Sequence, residues 1–477
     1  MPKTTEAIGL RPLLRAWVAV AIVTALTSAC VSRPTGQVQA VEHAWVQADE
    51  AGGWVVRAVA IDGKAPQPPI NRCPVIAWDA GSTAMSLRVA PIVVPTRSAG
   101  GQAESKPSIF TASVCEAPWP PGATSLRVAD IVLQAPPKVI RRILVLGDSG
   151  CRMKASENAF QDCLIESRWP FAAVARAAAA KHPDLIVHLG DLHYRESPCP
   201  AGRSGCAGSP WGYGQDAWEA DFFVPAKPLL TAAPWLFVRG NHESCARAGV
   251  GWFRLLDAGP WSRARSCIEP ADDRQAEYSE PFAVPIDADT QLIVFDSSFV
   301  SGKPYAKSDA SFVRYSNALD QVEHLSRQRP HNLFLNHHPV LGFAGSASGA
   351  PKSGNGGLMS VMSAQYPQRL YADGIDLVLN GHVHLFEAIG FASAHPSTLV
   401  LGNSGSQMEG HLDDAKARAA QPAPGAVVQT FVTQSGFGFA TLDREAAEWR
   451  LTEWSVGGVP LVSCSLVGAR LRCPPAP

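Results

Sequence analysis

The run NGHVH at Asn380–His384 places two histidines two positions apart within the stretch LVLNGHVHLFE, in a chain with only 13 histidines among 477 residues. In extended backbone, residues two apart point to the same side, so His382 and His384 can each reach toward one member of a pair of ions. Four further clusters have the same character: GDSG with Asp148, GDLHY with Asp191 and Tyr194, GNHE with Asn241 and His242, and NHHP with His337 and His338. One at a time they say little, because a GD after a strand is common and a histidine before proline usually serves a turn. Together they supply carboxylate and phenolate oxygens, an amide oxygen and imidazole nitrogens, the hard and borderline donors that two metal ions need. A glycine stands before Asp148, Asp191, Asn241 and His382, where it permits a sharp turn that aims the side chain back over a strand end.

The elements that must position these residues are legible as buried strands ending in polar groups: VIRRILVLGDSG, DLIVHLGDLHY, WLFVRGNHE, QLIVFDSS, NLFLNHHP, DLVLNGHVH and TLVLGNSGS. Continuous apolar runs of this kind suit an α/β-type layered core whose strands are covered on both faces. Residues at the carboxyl ends of adjacent strands would then meet in one crevice. Helical periodicity appears in PFAAVARAAAAKH after Trp169 and in ALDQVEHLSRQ after Asn317. The tail FGFATLDREAAEWRLTEWSV alternates like an antiparallel pair and is expected to complete a second sheet. Residues 38–137 offer short β-type runs such as WVVRAVAID and SLRVADIVLQ between proline and glycine turns, which predicts a small all-β domain with a packing or spacing role. The catalytic domain is then expected over 138–477. The loops Ser197–Gly214 and Gly345–Gly357 closely follow clusters and are placed to frame an entrance.

Composition narrows the function classes. With 46% hydrophobic and 17% charged residues the chain can bury sizeable cores, and a net charge of −1 provides no basic field for nucleic acid. The start carries Lys3, Arg11 and Arg15 ahead of an apolar run from Trp17 to Leu26, the pattern of an export leader spanning 1–29. Its ending, LTSAC, resembles the bacterial lipobox, with Thr27 where an aliphatic residue is usual; this makes Cys30 the expected lipidation site and 30–37 a tether. Ordinary cleavage after Ala29 is the competing reading. The expectation is a protein exported to the bacterial periplasm or outer membrane, touching the membrane only through that anchor. Eleven cysteines less Cys30 leave ten, an even number that suits disulfides in an oxidising compartment. Pairing of sequence neighbours is the simplest assignment, although connectivity does not follow from sequence. No CxxC occurs, which argues against zinc ribbons and thioredoxin-like sites. Nothing in the sequence sets an oligomeric state.

In order and content the five clusters, between about Arg142 and Glu387, resemble the calcineurin-like metallophosphoesterase superfamily and, within it, the purple acid phosphatases. Many superfamily members open with Asp-x-His, but here the third residue is Gly150. Purple acid phosphatases instead carry a tyrosine three after the bridging aspartate, and Tyr194 stands three after Asp191. Arg195 departs from the small or apolar residue expected next.

The resemblance implies an α/β (α+β type) sandwich of two sheets flanked by helices. It implies that Asp148, Asp191, Tyr194 and His384 hold a first metal, Fe(III), and that Asp191 bridges to a second, Zn(II), Mn(II) or Fe(II), held with Asn241, His337 and His382. It further implies a metal-dependent phosphoric ester hydrolase acting on small phosphomonoesters through a hydroxide held by the metals, with His242 as general acid. Two cations about 3.5–4 Å apart neutralise a phosphate ester and lower the pKa of water. His338 is assigned to the pocket or to packing, and Glu243 to a hydrogen bond with a ligand histidine. His193 is placed either in the pocket or at the surface. Asp296 is assigned a structural role, and Trp211, Trp218, Trp235, Trp252 and Trp261 are assigned to the core. Competing readings are a phosphodiesterase of the same fold and a non-catalytic metal-binding surface lipoprotein.

Overall fold

The structure, a computed structural model, describes residues 40–61, 73–97, 105–346, 348–410, 412–446 and 448–474. The expected leader, tether and lipidation site at Cys30 lie outside these residues. Each of the seven apolar runs is a strand: β1 Arg142–Leu146, β2 Leu185–His188, β3 Trp235–Phe237, β4 Thr290–Val294, β5 His331–Leu335, β6 Ile375–Asn380 and β7 Ser397–Leu401. They divide between two sheets. Strands β1, β2 and β3 pair in parallel within a sheet of eleven strands, and β4 to β7 pair in parallel within a sheet of seven.

Alternation along each strand assigns its two faces. Ile143 and Val145 of β1 meet Leu333 and Leu335 of β5 in the core between the sheets. Leu144 and Leu146 point the other way, onto Phe171 and Val174 of helix α1, Phe171–Ala179. On the far side, Ile293 and Phe334 pack against Tyr315, Leu319 and Val322 of α2, Ala310–Ser326, and against Leu358 and Val361 of α3, Gly356–Gln365. The result is a helix–sheet–sheet–helix sandwich in which each core side chain contributes about 1.5–3 kcal/mol by leaving water. Both helical patterns read from the sequence coincide with helices, the first running past Ala179 to His182 and the second past Ser326 to Gln328. Asn355 starts α3 by accepting from the Leu358 amide at 2.9 Å, satisfying one of the donors that a helix start leaves open.

The strand-rich segment before residue 137 continues the larger sheet. Ala40–Ala48 runs parallel beside β3, with Gln47 opposite Trp235, and pairs antiparallel with Trp54–Ile61, which pairs in turn with Ser113–Pro118. A four-stranded sheet containing Val75–Trp78 and Ser125–Val128 covers part of it through Ile76, Leu126 and Val128. Trp45, Val59, Phe110 and Val114 share one core with α1 and β3. Buried Arg57 and Arg88 tie the segment to the later chain by donating to the carbonyls of Leu255 and Asp257, and of Phe253 and Gly259. The tail strands Gly438–Glu445 and Glu448–Ser455 pair as expected and attach to β1, so they extend the sheet that carries the first three clusters. Five disulfides join sequence neighbours: Cys73–Cys115, Cys151–Cys163, Cys199–Cys206, Cys245–Cys267 and Cys464–Cys473. Among the described residues no helix is long and apolar enough to cross a membrane.

Candidate metal centre

The ends of β1, β2 and β3 in one sheet face the ends of β5 and β6 in the other, and the five clusters meet there. The turns are tighter than glycine alone explains. Of the four glycines that precede site residues, only Gly190 has a left-handed φ, +94°; the others are needed for closeness. A Cβ on Gly240 would strike the Asp191 amide and carboxylate, and one on Gly381 would stand 2.7 Å from Asp148 Oδ2. The left-handed backbone falls instead on Asp148, Asp191 and His382 themselves, at φ 53°, 56° and 71°. Such conformations cost non-glycine residues roughly 1–2 kcal/mol each and persist where surrounding structure enforces them. At Asp191 the enforcing group is Glu243, whose carboxylate accepts from the amides of Asp191 (2.9 Å), Leu192 (2.9 Å), His193 (3.2 Å) and Gly240 (3.0 Å). Glu243 thus braces the aspartate turn rather than a histidine, contrary to the role read from its position.

Two donor sets result, sharing one carboxylate. In the first, Tyr194 Oη lies 2.8 Å from Asp148 Oδ1, 3.0 Å from Asp191 Oδ2 and 2.7 Å from His384 Nε2. In the second, His337 Nε2 lies 3.1 Å from Asp191 Oδ2 and 3.1 Å from Asn241 Oδ1, which is itself 3.0 Å from His382 Nδ1. The far nitrogens are committed: His337 Nδ1 donates to the Leu189 carbonyl at 2.7 Å and His384 Nδ1 to the Gln407 carbonyl at 2.6 Å. This fixes the tautomer that turns each Nε2 lone pair inward. Asp148, Asp191, His337 and Tyr194 are buried, whereas Asn241 and His382 are partly exposed, so the centre opens to solvent on their side.

The arrangement fits cations on chemical grounds. A tyrosine hydroxyl has one proton, yet Tyr194 Oη faces three acceptors at hydrogen-bond distance. Burial, then Asp148 and Asp191, push its pKa well above the ordinary value, so the phenolate form needs a positive partner. Burial also pushes His382 down to about 3, with His337 adding to the effect. Burial alone would raise Asp191, but His337 and His242 outweigh it and hold the carboxylate well below its usual range. Asp148, Asp191 and His337 bring ligand atoms close enough together for one ion, as do His337, His338 and His382.

His242 lies at the edge of the first set, its ring centroid 3.8 Å from that of Tyr194. Its Nδ1 is 3.0 Å from Glu196 Oε1, and its Nε2 is 3.8 Å from the shared Asp191 Oδ2. Arg247 Nη2 approaches both ring nitrogens, at 2.5 and 2.7 Å. Burial and then Arg247 bring His242 down to about 4, against the opposite pull of Asp191 and Glu196. His338 is buried with its ring 4.2 Å from His382 and Nδ1 3.2 Å from Ser297 Oγ, a packing position. His193 is also buried, against Tyr213 and Trp218, which removes its surface alternative. Asp296 accepts from the Ser279 and Ser298 amides and is structural. Trp218, Trp235 and Trp252 are core, while Trp211 and Trp261 are partly exposed.

Asp221, Glu196 and Arg247 escaped the sequence reading. Asp221 sits in a π-helical turn, Glu219–Phe223, where it accepts from the Tyr194 amide at 2.7 Å and pairs with Arg195 at 2.5 Å. The unusual arginine after Tyr194 thus has a partner that holds the tyrosine's backbone. None of the three belongs to a cluster with metal-ligand spacing, so no local signal marks them.

This geometry gathers two candidate metal-donor sets between the sheets of a two-sheet sandwich. The chain belongs to the calcineurin-like phosphoesterase family, whose model matches residues 141–386. In fold it is similar to the purple acid phosphatase PPD1 from yellow lupin (Lupinus luteus) seeds, at 15% identity over 90% of this chain and 74% of that one, with a TM-score of 0.54. It is also similar to PhoD, at 11% identity over 91% of this chain and 92% of that one, again with a TM-score of 0.54. No curated protein matches the chain.

Proposed function

We propose that this protein is an exported phosphomonoesterase of the acid phosphatase type. In this reading Asp148, Asp191, Tyr194 and His384 hold Fe(III), and Asp191, Asn241, His337 and His382 hold Zn(II), Mn(II) or Fe(II). The observation that carries it is Asp191 Oδ2, which stands 3.0 Å from a donor of one set and 3.1 Å from a donor of the other. Bound there, two cations neutralise the phosphate ester and lower the pKa of water. The protein's own residues do the rest. The partly exposed side at Asn241 and His382 admits the ester. Glu196 at 3.0 Å holds His242 by Nδ1, and Nε2 faces the shared carboxylate with Arg247 Nη2 beside it at 2.7 Å; with the arginine drawn off by the phosphate, Nε2 can deliver a proton to the departing alkoxide. A phosphate dianion arriving beside the ring favours the protonated imidazole that this step requires. Export is supported by five disulfides, and lipid attachment at Cys30 remains part of the same proposal.

Elemental analysis of protein produced with iron and zinc available tests the centre. Two metals per chain, at least one of them iron, are expected. Asp191→Asn should lose most of the second equivalent together with phosphatase turnover. A single zinc per chain in the wild type rejects the iron-containing pair.

A further inference from the structure

A further group of metal-ligating side chains lies outside the proposed centre, where the strand Ala40–Ala48 meets the π-helical turn Glu219–Phe223. Glu42, His43 and Glu219 each bring one ligand atom within 4.8 Å of the others. Glu42 and His43 are chain neighbours, and in a regular strand they would point to opposite faces. A bulge changes this. Val41 stands opposite Ala60 and His43 opposite Val59, so Glu42 is the extra, unpaired residue, and such a residue has its side chain re-aimed. Both neighbours can therefore meet Glu219. The π-helical turn supplies the other half: Glu219 Oε2 lies 2.6 Å from His43 Nε2, and the Phe223 ring stacks on the imidazole with centroids 5.1 Å apart. His43 is buried while Glu42 is exposed, so the group is open to solvent on one side. Among the described residues neither carboxylate is paired with a lysine or an arginine. Burial and then the Glu219 carboxylate hold the Glu42 carboxyl above its usual range, the mark of two like charges without a cation between them.

Two carboxylates and an imidazole balance the charge of a divalent ion, and the nitrogen donor favours zinc over calcium or magnesium. We propose that Glu42, His43 and Glu219 form a zinc site in addition to the two-metal centre, with water completing a tetrahedron on the exposed side. Binding replaces the hydrogen bond between His43 and Glu219. Nε2 gives up its proton and turns its lone pair to the ion, the neutral ring carries its proton on Nδ1, and Glu219 Oε2 changes from acceptor to ligand. The ion ties the first described strand to the turn whose Asp221 accepts from the Tyr194 amide at 2.7 Å, so its role is to hold that junction rather than to touch the ester. With three protein ligands and an open side, the site fills after the better-enclosed centre. The inference goes beyond the phosphatase reading and does not depend on it.

Equilibrium dialysis of purified, metal-loaded protein against zinc tests the site. Wild type should take up one further equivalent. Glu42→Gln alters an exposed side chain and should fold, yet bind that equivalent at least about tenfold more weakly, the scale on which even the outer partners of metal ligands act. Glu219→Gln should do the same. Thermal unfolding gives a second readout: saturating zinc should raise the Tm of wild type by about 2–5 °C and that of Glu42→Gln by much less, and magnesium should raise neither. No further equivalent in wild type, equal uptake by wild type and Glu42→Gln, or a Tm rise common to both proteins overturns the site. Protection by magnesium as strong as by zinc overturns it as well. Both measurements read a difference between two proteins without turnover, so failure of the phosphatase reading leaves their outcome intact.

Discussion

At the scale of single residues, the centre is an assembly of groups poorly served by one another. Tyr194 offers one proton to three acceptors, and left-handed backbone falls on two aspartates and a histidine. Those are the marks of a site organised for something other than its own hydrogen bonding. Tyr194→Phe removes the donor oxygen and keeps the buried ring, so the fold should persist. If the first metal is ferric, wild type should show a visible phenolate-to-iron band that this substitution abolishes at matched iron content. A colourless wild type with full iron, or a band indifferent to the change, would remove the ferric–tyrosinate assignment. His242→Ala is expected to lower kcat by about 10²–10⁴-fold on esters with poor leaving groups. Activated aryl esters should lose less, because their leaving groups need little help from a proton. Steady-state kinetics on both ester types, with metal content measured alongside, separates this from simple metal loss. Equal losses would count against the acid role.

Elements explain how such residues are held and where their stability comes from. The seven runs legible in the sequence are the seven strands that carry or flank the site, because continuous apolar stretches covered on both faces have few other structures open to them. Their distribution between two sheets was less legible. Within each run the alternate faces are equally apolar, so nothing distinguishes Val145, which faces the other sheet, from Leu146, which faces α1. Buried carboxyls on neighbouring strands are a second feature that pattern alone conceals. Glu387, on the strand Phe386–Phe391, is pushed up to about 8 by burial, although it accepts from the Phe343 amide at 3.0 Å. Its ordinary value is 4.5, so between those two values the folded protein holds a proton that the unfolded chain has released. Its contribution to stability therefore declines as pH rises from about 4.5 to about 8 and is level beyond that range. Glu387→Gln should flatten this part of the profile, giving a Tm advantage over wild type that grows toward pH 8. Thermal unfolding at several pH values across the window checks it, and parallel profiles for the two proteins would refute it.

The whole molecule differs most from its sequence in the described residues before 138. Short β-type runs between turns read as a separate module, because single-sequence patterns carry no sign of which strand a distant strand will pair with. The strand Ala40–Ala48 in fact lies beside β3, and the pairing places Gln47 against Trp235. Trp45, Val59, Phe110 and Val114 enter the same core as Phe171 and Phe222. Buried Arg57 and Arg88 donate to four carbonyls between Phe253 and Gly259, so each side of that junction satisfies polar groups of the other. Removing the segment would expose the edge of β3 and strip apolar cover from its outer face. It would also leave those carbonyls to find water, at about 1–3 kcal/mol for each that stays buried. A chain restricted to 138–477 is therefore expected to retain every ligand of the proposed two-metal centre and still fail to fold cooperatively. It should bind an apolar dye and give no sharp calorimetric transition, whereas residues 40–477 should unfold in one. Soluble, cooperatively unfolding 138–477 that takes up two metals would establish an independent catalytic domain and reduce the junction to a docking contact.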